Sequence, residues 1–188
     1  NGALDTSFGG RGYILQDIGS GDDVGYSLVI QSDGKILLGG YCFDGGSSKF
    51  CVARFHSNGA LDTSFGGRGY ILQDISSGND YGKSLSIQSD GKILLGGECG
   101  DGVFSKFCIA RFHSNGALDT SFGGSGYISL KVSDVDYGRD FGGDYGLSLV
   151  IQSDGKILLG GGCDDGSPYL EFCIARFHSN GALDTSFG

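Results

Sequence analysis

Cysteine has the most reactive side chain in this sequence, and its spacing is regular. The chain of 188 residues contains 6 cysteines, one pair in each of three repeating units. Each pair brackets the loop between two strand-like runs, which predicts a disulfide across a hairpin. Metal ligation is the alternative, but the enclosed loops hold no His or further Cys to complete the usual set of ligands. The predicted disulfides are Cys42–Cys51, Cys99–Cys108 and Cys163–Cys173.

Histidine could supply acid–base chemistry, but its placement argues against this. His56, His113 and His178 occupy equivalent positions in the repeated Arg-Phe-His-Ser-Asn-Gly, at the ends of strand-like runs. A catalytic histidine needs a nucleophile or carboxylate particular to it, so three equivalent copies favour hydrogen bonding in turns. The sequence also lacks a Gly-x-Ser-x-Gly elbow, a phosphate loop and a dinucleotide fingerprint. We therefore expect no enzymatic activity, no catalytic residue and no cofactor.

Aspartate forms the most regular polar motif, Gly-Ala-Leu-Asp-Thr-Ser-Phe-Gly. Its carboxylate could cap a tight turn by accepting backbone N–H groups, or pair with an arginine that recurs before it. A ligand or ion site repeated on each unit is the alternative. The aspartates are Asp5, Asp62, Asp119 and Asp184, and the arginines are Arg54, Arg111 and Arg176.

Acidic loops could bind Ca²⁺ through carboxylate oxygens. None of them follows the EF-hand spacing or the nonapeptide of calcium-binding β-rolls. We predict that the chain has no metal site, with calcium binding as the alternative. The acidic loop residues are Asp22, Asp23, Asp134, Asp136, Asp140, Asp144, Asp164 and Asp165.

The elements that position these residues are internal repeats, because Asn-Gly-Ala-Leu-Asp-Thr-Ser-Phe-Gly recurs along the chain. Three complete units follow one another, and the third is longer, mainly through residues 133–146. Since Asn1 lies within the motif, we expect a processed chain or an excerpt from a longer one. The sequence divides into units 1–57, 58–114 and 115–179, and the start of a fourth, 180–188.

Each unit predicts four short strands joined by turns, and no segment has the length and period of a helix. An Asp-Gly pair between the second and third runs predicts a type I′ hairpin turn. Comparison of the copies predicts that Leu28 and Ile30 point inward and that Val29 points outward. In the second unit the four runs are residues 69–75, 83–88, 92–99 and 106–112.

The expected fold class is all-β. A sheet whose inner strand is apolar on both faces cannot bury itself alone, so the copies should stack as tandem four-stranded antiparallel blades, in a propeller or an open superhelical arc. The net charge of -9 argues against binding nucleic acid, and no apolar run is long enough to span a membrane. Disulfides persist in oxidising compartments, so we expect an extracellular or cell-surface location.

Two stretches of the unit carry a resemblance to a known family. They are Ile-Gln-Ser-Asp-Gly-Lys-Ile-Leu-Leu-Gly-Gly (residues 87–97) and Phe-Cys-Ile-Ala-Arg-Phe-His-Ser-Asn-Gly-Ala-Leu-Asp-Thr-Ser-Phe-Gly (residues 107–123). Both closely resemble the delta-60 repeat, a β-propeller domain of unknown function, and the resemblance covers essentially the whole chain. It implies propeller-like blades in large, often secreted or surface proteins of bacteria, and it supplies no catalytic residues. The regular cysteine pair departs from the family pattern.

Three blades are too few for a closed propeller, which typically has about 4 to 8. Our leading hypothesis is a non-enzymatic structural protein that self-associates head to tail into a surface fibre or filament, or forms part of a longer repeat array. The alternative is an adhesion module that binds a glycan or a surface protein, with residues 133–146 as its singular loop. Exposed aromatic residues could serve that binding, namely Tyr26, Tyr41, Phe43, Phe104, Tyr137 and Tyr169.

Overall fold

The computed structural model describes residues 2–102, 104–132, 143–166 and 168–188, and it confirms the all-β fold. In this part of the chain the strands form three antiparallel sheets. Sheet 1 contains β1 (Asp23–Ile30), β2 (Ile36–Phe43), β3 (Ser48–Phe55) and β4 (Tyr70–Gln73). Sheet 2 contains β5 (Asp80–Ile87), β6 (Ile93–Gly100), β7 (Ser105–Phe112) and β8 (Tyr127–Leu130). Sheet 3 contains β9 (Tyr145–Ile151), β10 (Ile157–Asp164) and β11 (Leu170–Phe177).

The strand order follows the sequence in every sheet, but the sheets are out of phase with the sequence units. Strand β4 belongs to unit 58–114, yet it pairs with β3 of the preceding unit, with Ala53 opposite Tyr70 and Phe50 opposite Gln73. Strand β8 pairs with β7 in the same manner. Each four-stranded sheet therefore takes its outer strand from the next unit, and consecutive units are interlocked through backbone hydrogen bonds.

The sheets pack on one another like blades, with their first strands side by side. Strand β5 lies against β1 on one side and against β9 on the other. One hydrophobic core fills the space between sheets 1 and 2 and includes Phe50, Val52 and Leu85. A second core fills the space between sheets 2 and 3 and includes Phe107 and Leu149. Apolar burial between blades is thus the main stabilising term, because no single sheet encloses a core of its own.

The Asp-Gly turns differ from the predicted type I′ geometry. A type I′ turn needs positive φ at both central residues, but every positive φ in the described residues belongs to glycine. The turn between β1 and β2 is closed by the Gly34 amide, which donates to the carbonyl of Gln31 at 2.9 Å. The Asp33 carboxylate accepts the Lys35 amide at 3.1 Å, and only Gly34 is left-handed, with φ +81°. The aspartate thus acts as a side-chain cap and leaves the unusual backbone conformation to the glycine.

The predicted inward direction of Leu28 and Ile30 is wrong for the first unit. Leu28 is 59% exposed, whereas its equivalents Leu85 and Leu149 are 4% and 3% exposed. Val29, predicted to point outward, packs partly against the core. The three leucines lie on the same face of their strands. That face is covered by a preceding sheet in sheets 2 and 3, and residues 2–22 cover it only in part in sheet 1.

Candidate functional site

The six cysteines form the three predicted disulfides, each between the second and third strands of a sheet. The pairs are Cys42–Cys51, Cys99–Cys108 and Cys163–Cys173, with Cα separations of 5.6, 5.8 and 5.8 Å. These separations lie in the usual range for a disulfide. All six thiols are therefore engaged in structure.

The repeated aspartate caps a turn and pairs with an arginine at the same time, because its two oxygens have different partners. Arg54 Nε donates to Asp62 Oδ2 at 2.8 Å. The Ser64 hydroxyl and amide both donate to Asp62 Oδ1, at 2.6 and 3.1 Å. Hydrogen bonds of 2.9 Å join Arg111 to Asp119 and Arg176 to Asp184 in the next two units. We call this arrangement the Arg–Asp pair.

The central Arg–Asp pair holds its carboxylate in the charged form. Burial alone would raise the pKa of Asp119, but hydrogen bonds from Ser121 and the Arg111 guanidinium outweigh it and keep that pKa below its usual 3.8. An aspartate that stays ionised and fully hydrogen-bonded is a poor general acid or base. The geometry therefore favours a structural role for this motif.

The same arginine also joins consecutive units. Arg54 Nη1 donates to the carbonyl of Ser114 at 2.6 Å, and Arg111 Nη1 donates to the carbonyl of Ser179 at 2.5 Å. A backbone hydrogen bond lies beside the Arg54 contact, where the Gly66 amide donates to the carbonyl of Asn115 at 2.9 Å. The joint is repeated between Gly123 and Asn180 and between Gly9 and Asn58, at the same distance. Each joint thus depends on residues that are far apart in sequence.

Asp5 occupies the first copy of the motif but has different surroundings. It accepts hydrogen bonds from the Ser7 hydroxyl and amide at 2.6 and 3.0 Å, as its equivalents do. Unlike Asp62, Asp119 and Asp184, it is exposed. The local turn therefore forms without the buried ion pair.

The three histidines lie in turns, and each makes the same two contacts as its copies. His56 Nε2 is 3.8 Å from Asp62 Oδ1, and the His56 amide donates to the carbonyl of Ala60 at 2.8 Å. His113 repeats both contacts, and His178 does so with an Nε2 to carboxylate distance of 3.9 Å. All three side chains are half exposed.

A second repeated aspartate, where the first strand of each sheet begins, has a capping role that the sequence reasoning missed. Asp80 Oδ2 accepts the Ile75 amide at 2.8 Å, and Asp23 Oδ2 accepts the Ile18 amide at 2.7 Å. Asp144 accepts the Val132 amide in the same way. Burial raises the pKa of Asp80 despite these bonds. The signal that could have found these caps is the recurrence of aspartate before a Gly-containing strand.

Two of the acidic residues considered as Ca²⁺ ligands, Asp23 and Asp144, accept backbone amides in these caps. Within residues 2–102, 104–132, 143–166 and 168–188, no group of three or more His, Cys, Asp or Glu is placed to hold a metal ion. Asp134, Asp136, Asp140 and Tyr137 lie outside the described residues, as does most of the long loop. The described residues include no helix that is long and apolar enough to cross a membrane.

A tyrosine–lysine cluster forms where β1 and β5 bulge. Each strand has an irregular register at this point, so the side chains of Tyr26 and Lys83 do not follow the regular alternation between the two faces of the sheet. Lys83 Nζ lies 4.1 Å from the ring centroid of Tyr26 and 5.3 Å from that of Tyr81. Tyr41 packs edge-on against Tyr81 at 4.9 Å. Glu98 Oε1 is 3.9 Å from Lys83 Nζ, and burial raises the pKa of Glu98.

The other aromatic residues do not converge with this cluster into one surface. Phe104 lies beneath Lys131, with 5.1 Å between Nζ and the ring centroid. Phe43 is partly buried at the end of β2, and Tyr169 is exposed before β11. Among the aromatic candidates that the structure describes, Tyr26 and Tyr41 lie together, with their ring centroids 6.0 Å apart.

Two apolar faces at opposite ends of the described chain lack the sheet that covers their equivalents. The head face is the side of sheet 1 that carries Leu28 and Ile30. The tail face is the side of sheet 3 that carries Gly160, Phe172 and Ile174. Phe172 is fully exposed and Ile174 is 59% exposed, whereas their equivalents in sheets 1 and 2 are fully buried. Exposed apolar patches of this kind mark interaction surfaces.

Antiparallel blades that each contain one disulfide, interlocked outer strands and repeated joints between units define a protein of the β-propeller class. A family described as a domain of unknown function (DUF5122) beta-propeller matches residues 31–65, 88–122 and 152–187. These matches cover more than half of the chain, which therefore belongs to this family. The resemblance to a β-propeller repeat family of unknown function is confirmed.

The chain was also compared with solved structures and with curated proteins. The chain is similar to a fucose lectin from Kordia zhangzhouensis, solved in complex with methyl-fucoside, with 15% identity and a TM-score of 0.41. The alignment covers 85% of this chain and 96% of the lectin chain. The comparison with curated proteins gives no match.

Proposed function

We propose that this chain is a non-enzymatic, extracellular repeat module whose head and tail faces are covered by further sheets, supplied by a second copy docked head to tail or by a longer repeat array. The observation that carries the proposal is the different burial of one repeated leucine. Leu85 and Leu149 are buried against the preceding sheet, and Leu28 is left exposed on the head face. A head-to-tail contact is heterologous, so it yields a ring if the rotation closes and a filament if it does not.

The glycine opposite each leucine supports this docking. A Cβ placed on Gly39 would lie 2.5 Å from Leu85 Cγ, and one placed on Gly96 would lie 2.7 Å from Leu149 Cδ1. Each glycine therefore provides the space that a leucine of the next sheet fills. At Gly160, on the tail face, a Cβ would meet no atom closer than 3.6 Å. This space fits Leu28 of a second copy.

The non-enzymatic part of the proposal rests on what the polar groups do. The repeated Asp, Arg and His side chains serve turns and joints, and the cysteines serve disulfides. The extracellular location is supported by the disulfides, which persist in oxidising compartments.

Replacing Leu28 by aspartate is expected to abolish self-association. A buried charge opposite Gly160 would replace the favourable burial of a leucine, so the Kd should rise at least about tenfold. Sedimentation velocity over a wide concentration range measures the effect. Val132→Asp, which changes an exposed aliphatic residue between the two ends, is the control and should associate as the wild type does. A wild-type chain that stays monomeric at high concentration would contradict head-to-tail docking.

A second candidate function, glycan binding, is favoured by the tyrosine–lysine cluster. Tyr26 is half exposed at a bulge, and bulges commonly direct side chains toward binding sites. Tyrosine rings can stack on the apolar face of a sugar, and the ammonium of Lys83 can donate to its hydroxyl groups.

Tyr26→Ala is expected to remove glycan binding if the cluster is the site. A glycan array read with the wild type, Tyr26→Ala and the matched control Tyr169→Ala tests this. Loss of signal only in Tyr26→Ala supports the candidate function. A wild type that binds no glycan, or equal binding by all three proteins, rules out this site.

A further inference from the structure

We propose that the Asp80 side chain is a buried, neutral carboxylic acid, and that its proton fastens the loop between β4 and β5 (residues 74–79) to sheet 2. The hydrogen-bonded group consists of Asp80, Ser76 and the carbonyl of Gly100, and we call it the Asp80 clasp. Loss of the proton at higher pH loosens the loop. The clasp lies within one chain, so it does not depend on the proposed function.

Asp80 is completely buried where β5 begins. Its exposed fraction is 0%, whereas Asp23, at the equivalent position of sheet 1, is partly exposed. Removing an ionised carboxylate from water is costly unless nearby charges and hydrogen bonds compensate, so burial favours the protonated form of a carboxyl group. The surroundings of Asp80 therefore decide whether it is charged.

The oxygen atoms around Ser76 need one more hydrogen than an ionised carboxylate leaves them. Ser76 Oγ lies 2.5 Å from Asp80 Oδ1 and 2.6 Å from the carbonyl oxygen of Gly100. Both are hydrogen-bond distances, but a serine hydroxyl has a single hydrogen and a carbonyl oxygen can only accept. With Asp80 ionised, one of the two contacts would join two acceptors with no hydrogen between them. A proton on Oδ1 satisfies both contacts, because Asp80 then donates to Ser76 and Ser76 donates to Gly100.

The second oxygen of Asp80 fits the same state. Asp80 Oδ2 accepts the Ile75 amide at 2.8 Å and the Ser76 amide at 3.3 Å, which is the role of the carbonyl oxygen of a carboxylic acid. Burial also raises the pKa of Asp80 above its usual 3.8. The hydrogen-bond count and the burial thus point in the same direction.

The equivalent cap in sheet 1 has no hydroxyl group at this place. Gly19 stands in the position of Ser76, and its amide nitrogen lies 3.1 Å from both oxygens of Asp23. Asp23 Oδ2 also accepts the Ile18 amide at 2.7 Å. Asp23 thus faces N–H donors, and its hydrogen bonds require no proton on the carboxyl group.

The charged groups around the clasp are paired with one another. Asp74, in the same loop, raises the pKa of Asp80 through its negative charge and pairs with Lys49 of β3 at 2.8 Å. Asp101, directly after β6, pairs with Lys106 of β7 at 3.2 Å. Both lysines therefore have other carboxylates as partners, and the charge nearest to Asp80 along its own loop opposes ionisation.

The loop held by the clasp also contacts sheet 1. Asn79 Oδ1 accepts the Ser48 amide, where β3 begins, at 2.9 Å. The Asn79 carbonyl accepts the Gly100 amide at 3.0 Å, and the Gly78 amide donates to the Gly100 carbonyl at 2.9 Å. The proton on Asp80 thus completes a link from β3 of sheet 1 to β6 of sheet 2. Ionisation would set two acceptors against each other in this link, so we expect it to weaken as the pH rises.

The sign of the pH effect is opposite to that of an ion-paired aspartate. A carboxyl group whose pKa is raised by folding binds its proton more tightly in the folded chain than in the unfolded chain. Its contribution to stability is therefore present below the unfolded pKa of 3.8 and is lost as the pH rises through the folded pKa.

Carbon-13 NMR of the aspartate carboxyl groups in the full chain measures the protonation of Asp80 directly. The Asp80 signal is assigned by its absence from Asp80→Asn. In the wild type it should titrate at least about one pH unit above the usual 3.8, which corresponds to tenfold tighter proton binding. A smaller rise, or a fall, overturns the inference.

Melting temperatures at neutral pH provide the second test. Asp80→Asn imitates the protonated acid, because its amide nitrogen can donate to Ser76 Oγ, and its Tm should equal or exceed that of the wild type. Asp23→Asn is the matched control. Its amide nitrogen would face the Ile18 or Gly19 amide, so its Tm should fall by about 2–4 °C. A decrease in the Tm of Asp80→Asn similar to that of the control would mean that Asp80 is ionised, and the clasp would be wrong.

Discussion

Gly97→Ala is expected to disrupt sheet 2. A Cβ at this position would lie 2.0 Å from the carbonyl oxygen of Tyr81 and 3.0 Å from the Cα of Gly82. Both are backbone atoms beside the β5 bulge, so no side chain can move aside to make room. Overpacking typically costs about 1–3 kcal/mol, and a clash between backbones belongs at or above the upper end. For a chain of this size we expect the Tm to fall by roughly 10 °C.

Thermal unfolding followed by circular dichroism measures this effect. Gly160→Ala, measured at a concentration at which the chain is monomeric, is the matched control, because its Cβ would meet no atom closer than 3.6 Å. It should leave the Tm almost unchanged or raise it slightly, since alanine reduces the entropy of the unfolded chain. Equal melting of Gly97→Ala and wild type would mean that the bulge is not packed as described.

Asp119→Asn is expected to cost about 3 kcal/mol, because it leaves the buried Arg111 guanidinium without a counter-charge. The carboxylate holds Arg111 at 2.9 Å and accepts two hydrogen bonds from Ser121. Asparagine has nearly the same shape, so the loss reports the charge and not a cavity. Urea unfolding at neutral pH measures the difference in the free energy of unfolding.

The pH dependence of the folding stability provides an independent test of the Asp119 carboxylate. The pKa of Asp119 is lowered in the folded chain, so its contribution to stability is present above the unfolded pKa of 3.8 and is lost as the pH falls through the folded pKa. Asp119→Asn should therefore remove part of the acid destabilisation of the wild type below about pH 4. Asp5→Asn, at the exposed copy of the motif, is the control and should change little. An identical acid profile for Asp119→Asn and wild type would contradict the paired carboxylate.

Much of the fold could be predicted because each unit repeats the same short-range sequence patterns. The strand runs, the glycine-centred turns and the three disulfides each follow from residues close together in sequence, such as Cys99 and Cys108. The Arg–Asp motif was also visible, although turn capping and ion pairing had to be considered as alternatives. The structure resolves them because Asp62 has two oxygens and uses one for each role.

The candidate surfaces could not be predicted from the same patterns. Leu28, Leu85 and Leu149 have equivalent sequence surroundings, and their burial differs only because different sheets lie beside them. The sequence also did not show which unit supplies the outer strand of each sheet. Residues 13–16 and 70–73 are identical, but residues 70–73 pair with β3 and residues 13–16 form no strand.

The sequence by itself determined an all-β chain of tandem blades in a β-propeller family, its disulfide pairs and the positions of its turns. These properties arise from covalent spacing and short-range backbone preferences, which every copy repeats. Only the tertiary structure decided which unit completes which sheet, how Arg54 reaches the carbonyl of Ser114, and which leucine stays exposed. Those features depend on contacts between units far apart along the chain, and identical sequences acquire different roles when their neighbours differ.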